Sequence, residues 1–198
     1  MLIAFEGIEG CGKGTQITLL QSELNFKHER FPRKTNGFGI LKEWLYGKIE
    51  FNEKVTFFLF LADILDATSH FKENEIWVVD RYLASTAAYE KKGISFNEAK
   101  KIIELSHPLK PDLIIWLDIS VDESIKRKTY QKSKNNDKLE IYEGKREYLE
   151  KVRRNYEKLY NERFLTDNWV KINGERDIEL VFNDVLREVK KAVESIQQ

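Results

Sequence analysis

Cysteine is all but missing from this chain. Cys11 is the only one, so no intramolecular disulfide can form, and a cytoplasmic setting is expected. No apolar run approaches the length of a membrane span. The first residues read as a core strand rather than a signal peptide, so neither a leader nor a membrane partner is expected. An excess of either charge is also missing, since 33 Lys and Arg balance 33 Asp and Glu. That balance gives no sign of a surface built to coat nucleic acid, and it makes any basic cluster a local device. Repeats, low-complexity tracts and interdomain linkers are absent as well. Residues 1–198 read as one α/β domain, long enough to bury a sizeable core.

What is present is concentrated at the beginning. Leu2-Ile3-Ala4-Phe5-Glu6 has strand character and runs into Gly7-Ile8-Glu9-Gly10-Cys11-Gly12-Lys13, after which a helical pattern starts at once. The spacing from Gly7 to Gly12-Lys13 is that of a phosphate-binding loop. Glycines let successive N–H groups turn inward into an anion nest. The helix start adds its positive end, and Lys13 adds a mobile point charge. Cys11 reads as a small residue filling this turn, because no His or Asp is spaced to activate it as a nucleophile. A hydroxyl residue usually follows the lysine and holds magnesium; here Gly14 does, and the hydroxyl comes one place later, at Thr15. Gly12-Lys13-Gly14-Thr15-Gln16 resembles the loop of adenylate kinases and other nucleoside-monophosphate kinases.

Further along, apolar runs alternate with helical stripes. Strands are expected near Glu29-Arg30-Phe31, at Glu75-Ile76-Trp77-Val78-Val79, from Pro111 to Leu117, and at Trp169-Val170-Lys171-Ile172. Residues 52–73 read as a long helix, apolar on most sides, and therefore buried or facing a partner subunit. Ser95-Phe96-Asn97-Glu98 and Ser120-Val121-Asp122-Glu123 both have the pattern of capping boxes. Residues 129–140 are polar, lack periodicity and read as a mobile loop. Five strands joined by helical connections predict parallel pairing with right-handed crossovers: a three-layer α/β/α fold with a five-stranded parallel sheet. Ligands are expected at the carboxyl ends of the strands, where the loop, Phe31-Pro32-Arg33, Asp80-Arg81 and Asp118 converge.

Phosphoryl transfer needs two phosphates held in line, neutralised charge and excluded water. The loop and Lys13 supply a donor site. Asp80-Arg81, directly after a strand, supplies a cation for an acceptor phosphate, although the pair also reads as a structural strand-end ion pair.

At this point the sequence resembles the thymidylate kinase family, of the archaeal type, over nearly its whole length. The carriers are Phe5-Glu6-Gly7-Ile8-Glu9-Gly10, Phe31-Pro32-Arg33, Leu59-Phe60-Leu61-Ala62-Asp63, Asp80-Arg81-Tyr82-Leu83-Ala84-Ser85-Thr86-Ala87-Ala88-Tyr89 and Lys110-Pro111-Asp112-Leu113. The resemblance implies the P-loop NTPase fold and ATP-driven, magnesium-assisted conversion of dTMP to dTDP by a homodimer. It makes Gly7 to Thr15, with Arg127 against adenine, the ATP site, and Asp80 a magnesium ligand through water. It makes Glu9 the carboxylate near the acceptor sugar, and Arg33 or its neighbour Lys34 the cation bridging the phosphates. Arg81 becomes the acceptor-phosphate arginine, and Phe31 joins the residues that bind dTMP. Phe60, otherwise a plain core residue, becomes the ring that stacks on thymine. Ser85 and Thr86 fall near the base edge, Tyr89 under the deoxyribose, and residues 129–140 form the lid.

Three positions depart from the family pattern. Ile64 stands where an arginine usually meets the thymine carbonyl, and Gly10 where some members carry a catalytic arginine. The lid offers only Lys132, Lys134 and Lys138, with Lys138 nearest the family's lid pattern. Gly14 stands in the hydroxyl place. These departures keep a broader pyrimidine monophosphate kinase as an alternative, with a non-metabolic nucleotide switch behind it.

Overall fold

The computed structural model describes residues 1–35, 37–135 and 146–196. Strand β1 (Leu2–Glu6) is buried along its whole length. Its first four residues are continuously apolar, because neighbours pair on both edges and helices cover both faces. Helix α1 (Lys13–Leu20) follows the loop, then β2 (Lys27–Arg30), α2 (Gly39–Leu45), α3 (Glu53–Thr68), β3 (Trp77–Asp80) and α4 (Leu83–Ala88). After these come α5 (Phe96–Leu105), β4 (Leu113–Asp118), α6 (Val121–Asn135), α7 (Arg146–Asn161), β5 (Trp169–Asn173) and α8 (Ile178–Ile196). The five strands pair in the order β2-β3-β1-β4-β5, every pair parallel.

That order places the topological switch beside β1. From β1 the chain first builds one side of the sheet, through β2 and β3, and then returns to build the other through β4 and β5. The crevice at the carboxyl ends of such strands is the ligand position of open α/β sheets. Register sets what meets there: Phe5 pairs with Asp80, and Asp80 pairs with Arg30.

Three local expectations are revised. Helix α3 stops at Thr68 rather than 73. Phe57, Leu61 and Ile64 face the core, while Val55 and Phe58 are 46% and 51% exposed. Residues 129–135 continue α6 instead of opening a loop. Lysine and glutamine are good helix formers, and a helix already started needs no apolar stripe to extend by further turns. The box at Ser95 closes in both directions, with Glu98 bonding back to the Ser95 N–H at 2.8 Å. The one at Ser120 closes in one direction only. Ser120 Oγ accepts from the Glu123 N–H at 3.2 Å, but the Ser120 N–H goes to Glu175 at 2.6 Å and Glu123 goes to Arg127 at 2.7 Å.

Candidate active site

The phosphate loop follows β1 as its glycines require. Gly7 has φ +135°, and a Cβ there would lie 2.5 Å from the Leu117 carbonyl oxygen. Gly12 has φ +97° immediately before α1, a left-handed conformation that lets the chain turn directly into the helix. Cys11 is buried in the turn, as its small size suggests. Lys13 Nζ folds back onto the loop, donating to the carbonyls of Gly7 at 2.9 Å and Ile8 at 3.2 Å. Gly14 and Thr15 are exposed on the first turn of α1. Arg127, from α6, backs the loop by donating to the carbonyls of Gly10 at 3.2 Å and Gly174 at 3.0 Å.

The corner after β3 is the most constrained part of the site. Arg81 has φ +71°, in the left-handed region that a bulky residue avoids, and its N–H is held by the Phe5 carbonyl at 3.0 Å. This conformation turns the guanidinium toward the loop, where it donates to Glu9 Oε1 at 2.6 Å. It also lies 5.0 Å from the Tyr89 ring centroid, and Tyr89 Oη donates to Glu9 Oε2 at 2.8 Å. Burial alone would raise the Glu9 pKa; Arg81, then Lys13 and the Tyr89 hydroxyl, outweigh it and hold the carboxylate below its ordinary range. Asp80 is buried, with Oδ2 3.4 Å from Arg30 and Oδ1 without a hydrogen-bond partner among the described residues.

Beneath this corner lies a carboxylate not singled out from the sequence. Glu6 is fully buried and accepts from the Tyr82 N–H at 2.9 Å, the Ser85 N–H at 3.1 Å and Tyr156 Oη at 3.0 Å. The Ser85 hydroxyl donates to it as well. Burial raises the Glu6 pKa, against these hydrogen bonds and Arg81. Ser85 is thereby committed to Glu6 and Tyr156 while also bordering the cavity. A glutamate at the end of an otherwise apolar strand was the signal available.

A cavity is lined by Arg81, Glu9 and Tyr89 together with the apolar side chains Phe57, Phe60 and Ile64. Phe31 and Thr86 also line it. Arg33 does not; its guanidinium is buried against Asp63 and Asp66, each at 2.6 Å. Neighbouring Lys34 is exposed. The cations that do line the cavity include Arg30, Lys42, Lys91 and Lys128, none of which the motifs single out. Lys138 lies outside the described residues, as do the side chains of Lys132 and Lys134. No helix among the described residues is long and apolar enough to cross a membrane.

The arrangement sets the phosphate-loop turn beside a cavity lined by both cations and aromatic rings. Similarity to known proteins agrees with it. The family model described as thymidylate kinase matches residues 5–185. A probable thymidylate kinase of Methanocaldococcus jannaschii is 33% identical over 195 residues, with 96% of each chain covered. The thymidylate kinase of Plasmodium falciparum is 30% identical over 199 residues, covering 96% of this chain and 89% of that one. Among solved structures, thymidylate kinase from Candida albicans superposes with a TM-score of 0.75 at 22% identity, covering 96% of this chain and 92% of that one.

Proposed function

The chain belongs to the thymidylate kinase family, and we propose that it transfers the γ-phosphoryl group of ATP to dTMP, giving ADP and dTDP. The observation that carries this reading is the 2.6 Å pair between Glu9 of the phosphate loop and Arg81 after the neighbouring strand. It ties a donor nest to an acceptor cation across adjacent strand ends, as in-line transfer requires. ATP phosphates take the loop N–H groups and draw Lys13 off the carbonyls it now meets. The acceptor phosphate takes Arg81, and the ring takes Phe60. Tyr89, fixed on Glu9, crowds the sugar and favours a deoxyribose.

Magnesium fits this site. Asp80 presents a buried carboxylate oxygen with no protein partner among the described residues, and the Thr15 hydroxyl is exposed close in sequence to Lys13. Among the described residues, no cluster of three His, Cys, Asp or Glu forms a metal cage. Asp80, through water, and the nucleotide itself would hold the ion. When bound, the ion neutralises charge on the phosphates. The proposal extends to a cytoplasmic homodimer, with the exposed Val55 and Phe58 of α3 at its contact.

Coupled measurement of ADP release with ATP and a panel of monophosphates tests the reading. The expected order of kcat/KM is dTMP first, then dUMP, with UMP far behind. A buried methyl site separates the first two by about 10- to 200-fold at most. UMP used as well as dTMP would overturn the role of Tyr89. Slow ATP hydrolysis indifferent to any monophosphate would make the chain a nucleotide switch instead.

A further inference from the structure

Arg30 and Arg33 flank Phe31-Pro32 at the end of β2, and the fold uses them differently. Arg33 is locked. Its side chain is 5% exposed, and its guanidinium meets Asp63 and Asp66 at 2.6 Å each and lies 5.1 Å from the Phe38 ring centroid. Its N–H also donates to Asp63, at 2.9 Å. Drawing Arg33 into the cavity would strand the fully buried Asp63 carboxylate, which makes that movement costly. Arg30 instead lines the cavity, with its side chain 64% exposed. Its Nε lies 3.4 Å from Asp80 Oδ2, and its two Nη groups make no hydrogen bond with the described residues.

The sheet brings Arg30 to Arg81. Parallel pairing sets Arg30 opposite Asp80, whose carbonyl accepts from the Phe31 N–H at 3.1 Å, and Arg81 is the next residue. Adjacent strands lie about 4.8 Å apart, so both arginines leave neighbouring strand ends beside Asp80 and line one cavity. Arg81 by itself is a crowded cation. It donates to Glu9 at 2.6 Å and reaches the Gly7 carbonyl and Ser85 Oγ at 3.4 Å each. A phosphate presents three strong acceptor oxygens, more than the donors Arg81 has to spare. Arg30 can keep Nε beside Asp80 and turn its Nη fork to the others. Lys42, Lys91 and Lys128 line the same cavity from α2, the turn after α4 and α6, and none of them stands at a strand end.

We propose that Arg30 is a second cation of the acceptor-phosphate site, donating through its Nη groups to the monophosphate that Arg81 holds, a role that Arg33, locked on α3, does not fill. The inference rests on the dTMP kinase reading and adds a substrate contact to it. A hydrogen bond to a charged group sets the expected worth of the contact at about tenfold in affinity.

Calorimetric titration in EDTA separates this contact from any service to a metal ion through Asp80. The probes are dTMP and thymidine, which share base and sugar and differ by the phosphate, with thymidine titrated in competition with dTMP. Arg30→Met is expected to weaken dTMP by about tenfold while leaving thymidine within about twofold of wild type. Arg30→Lys should recover part of the loss, as a point charge without the planar fork. Unfolded protein lowers the stoichiometry of the titration and leaves the ratio of the two dissociation constants unmoved. A wild-type ratio in Arg30→Met overturns the proposal and leaves the kinase reading intact. If both ligands weaken together, Arg30 serves the fold alone; if neither weakens while turnover with magnesium falls, it serves Asp80 alone. A wild-type chain that neither binds nor phosphorylates dTMP fails the kinase reading and takes the proposal with it.

Discussion

Glu6 and Glu9 stand three residues apart at the mouth of the same loop, and both carboxylates are buried or nearly so. Their surroundings drive them in opposite directions. Glu6 meets two backbone N–H groups and two hydroxyls, all neutral, and burial raises its pKa. Glu9 meets a guanidinium and a phenol, and Arg81 lowers its pKa against burial. The difference separates two layers of one site. The layer around Glu6 is saturated by protein groups and ties β1, α4 and α7 together. The layer around Glu9 opens on the cavity, and its cation can exchange a carboxylate for a phosphate. A buried acid thus serves the fold when its partners are neutral and fixed, and the ligand when its partner is a cation facing space.

The comparison breaks most sharply at the cations of the outer layer. Arg81→Ala is expected to lower kcat/KM for dTMP by about 100- to 1000-fold, the usual worth of an electrostatic donor at a transferring phosphoryl group. ATP binding should be largely spared. Lys13→Ala should cost a similar factor, felt through ATP. Steady-state kinetics with each substrate varied in turn checks both, and near-wild-type turnover in either variant removes that residue from the site. The inner layer should fail differently. Glu6→Ala strands two N–H groups and two hydroxyls, and is expected to cost roughly 3 kcal/mol of stability in urea unfolding. An inactive Glu6→Ala protein of full stability would merge the two layers into one catalytic unit.

Much of the outer layer was legible in the sequence. The loop spacing places Lys13 at the turn after β1, and Asp80-Arg81 after an apolar strand marks the neighbouring corner, because both depend on local order along one strand and its turn. The parallel sheet was legible for the same reason. What could not be read depends on partners distant in sequence. Arg33 is held by Asp63 and Asp66 from α3, so its commitment shows only after folding. Ser85 is held by Glu6 and by Tyr156, 71 residues on. Lys91 looks like one of many lysines until Trp44 and Phe60 enclose it. The end of α6 was missed because the sequence of 129–135 carries no apolar stripe to announce a helix.

Titration sharpens the two-layer comparison. Followed by carboxyl-carbon NMR, Glu6 should titrate above the ordinary 4.5 and Glu9 below it. The stability consequences have opposite signs. Glu9's contribution is full above pH 4.5 and is lost as pH falls through its lowered folded value. Glu6's contribution is full below pH 4.5 and is lost as pH rises through its raised value. Glu9→Gln should therefore flatten the acid limb of the stability profile, and Glu6→Gln the limb above 4.5. The reverse order of titration would mean that Arg81 serves Glu6 instead.

The smallest expected effect lies at the far edge of the inner layer. Tyr156→Phe removes one hydroxyl, which donates to Glu6 at 3.0 Å and lies 2.8 Å from Ser85 Oγ. The ring itself stays packed against Trp116 and Tyr89, with centroids 6.1 and 6.4 Å away. Glu6 keeps three donors, so the loss is that of a single hydrogen bond, about 1 kcal/mol in denaturant unfolding. Turnover of dTMP should stay within about twofold of wild type, because Arg81 keeps its bond to Glu9 and a single ordinary hydrogen bond is being asked to act only on the fold. A tenfold fall in kcat at unchanged stability would show that the Tyr156 hydroxyl reaches the reacting groups through Ser85, whose Oγ lies 3.4 Å from Arg81, and that the two layers are one network.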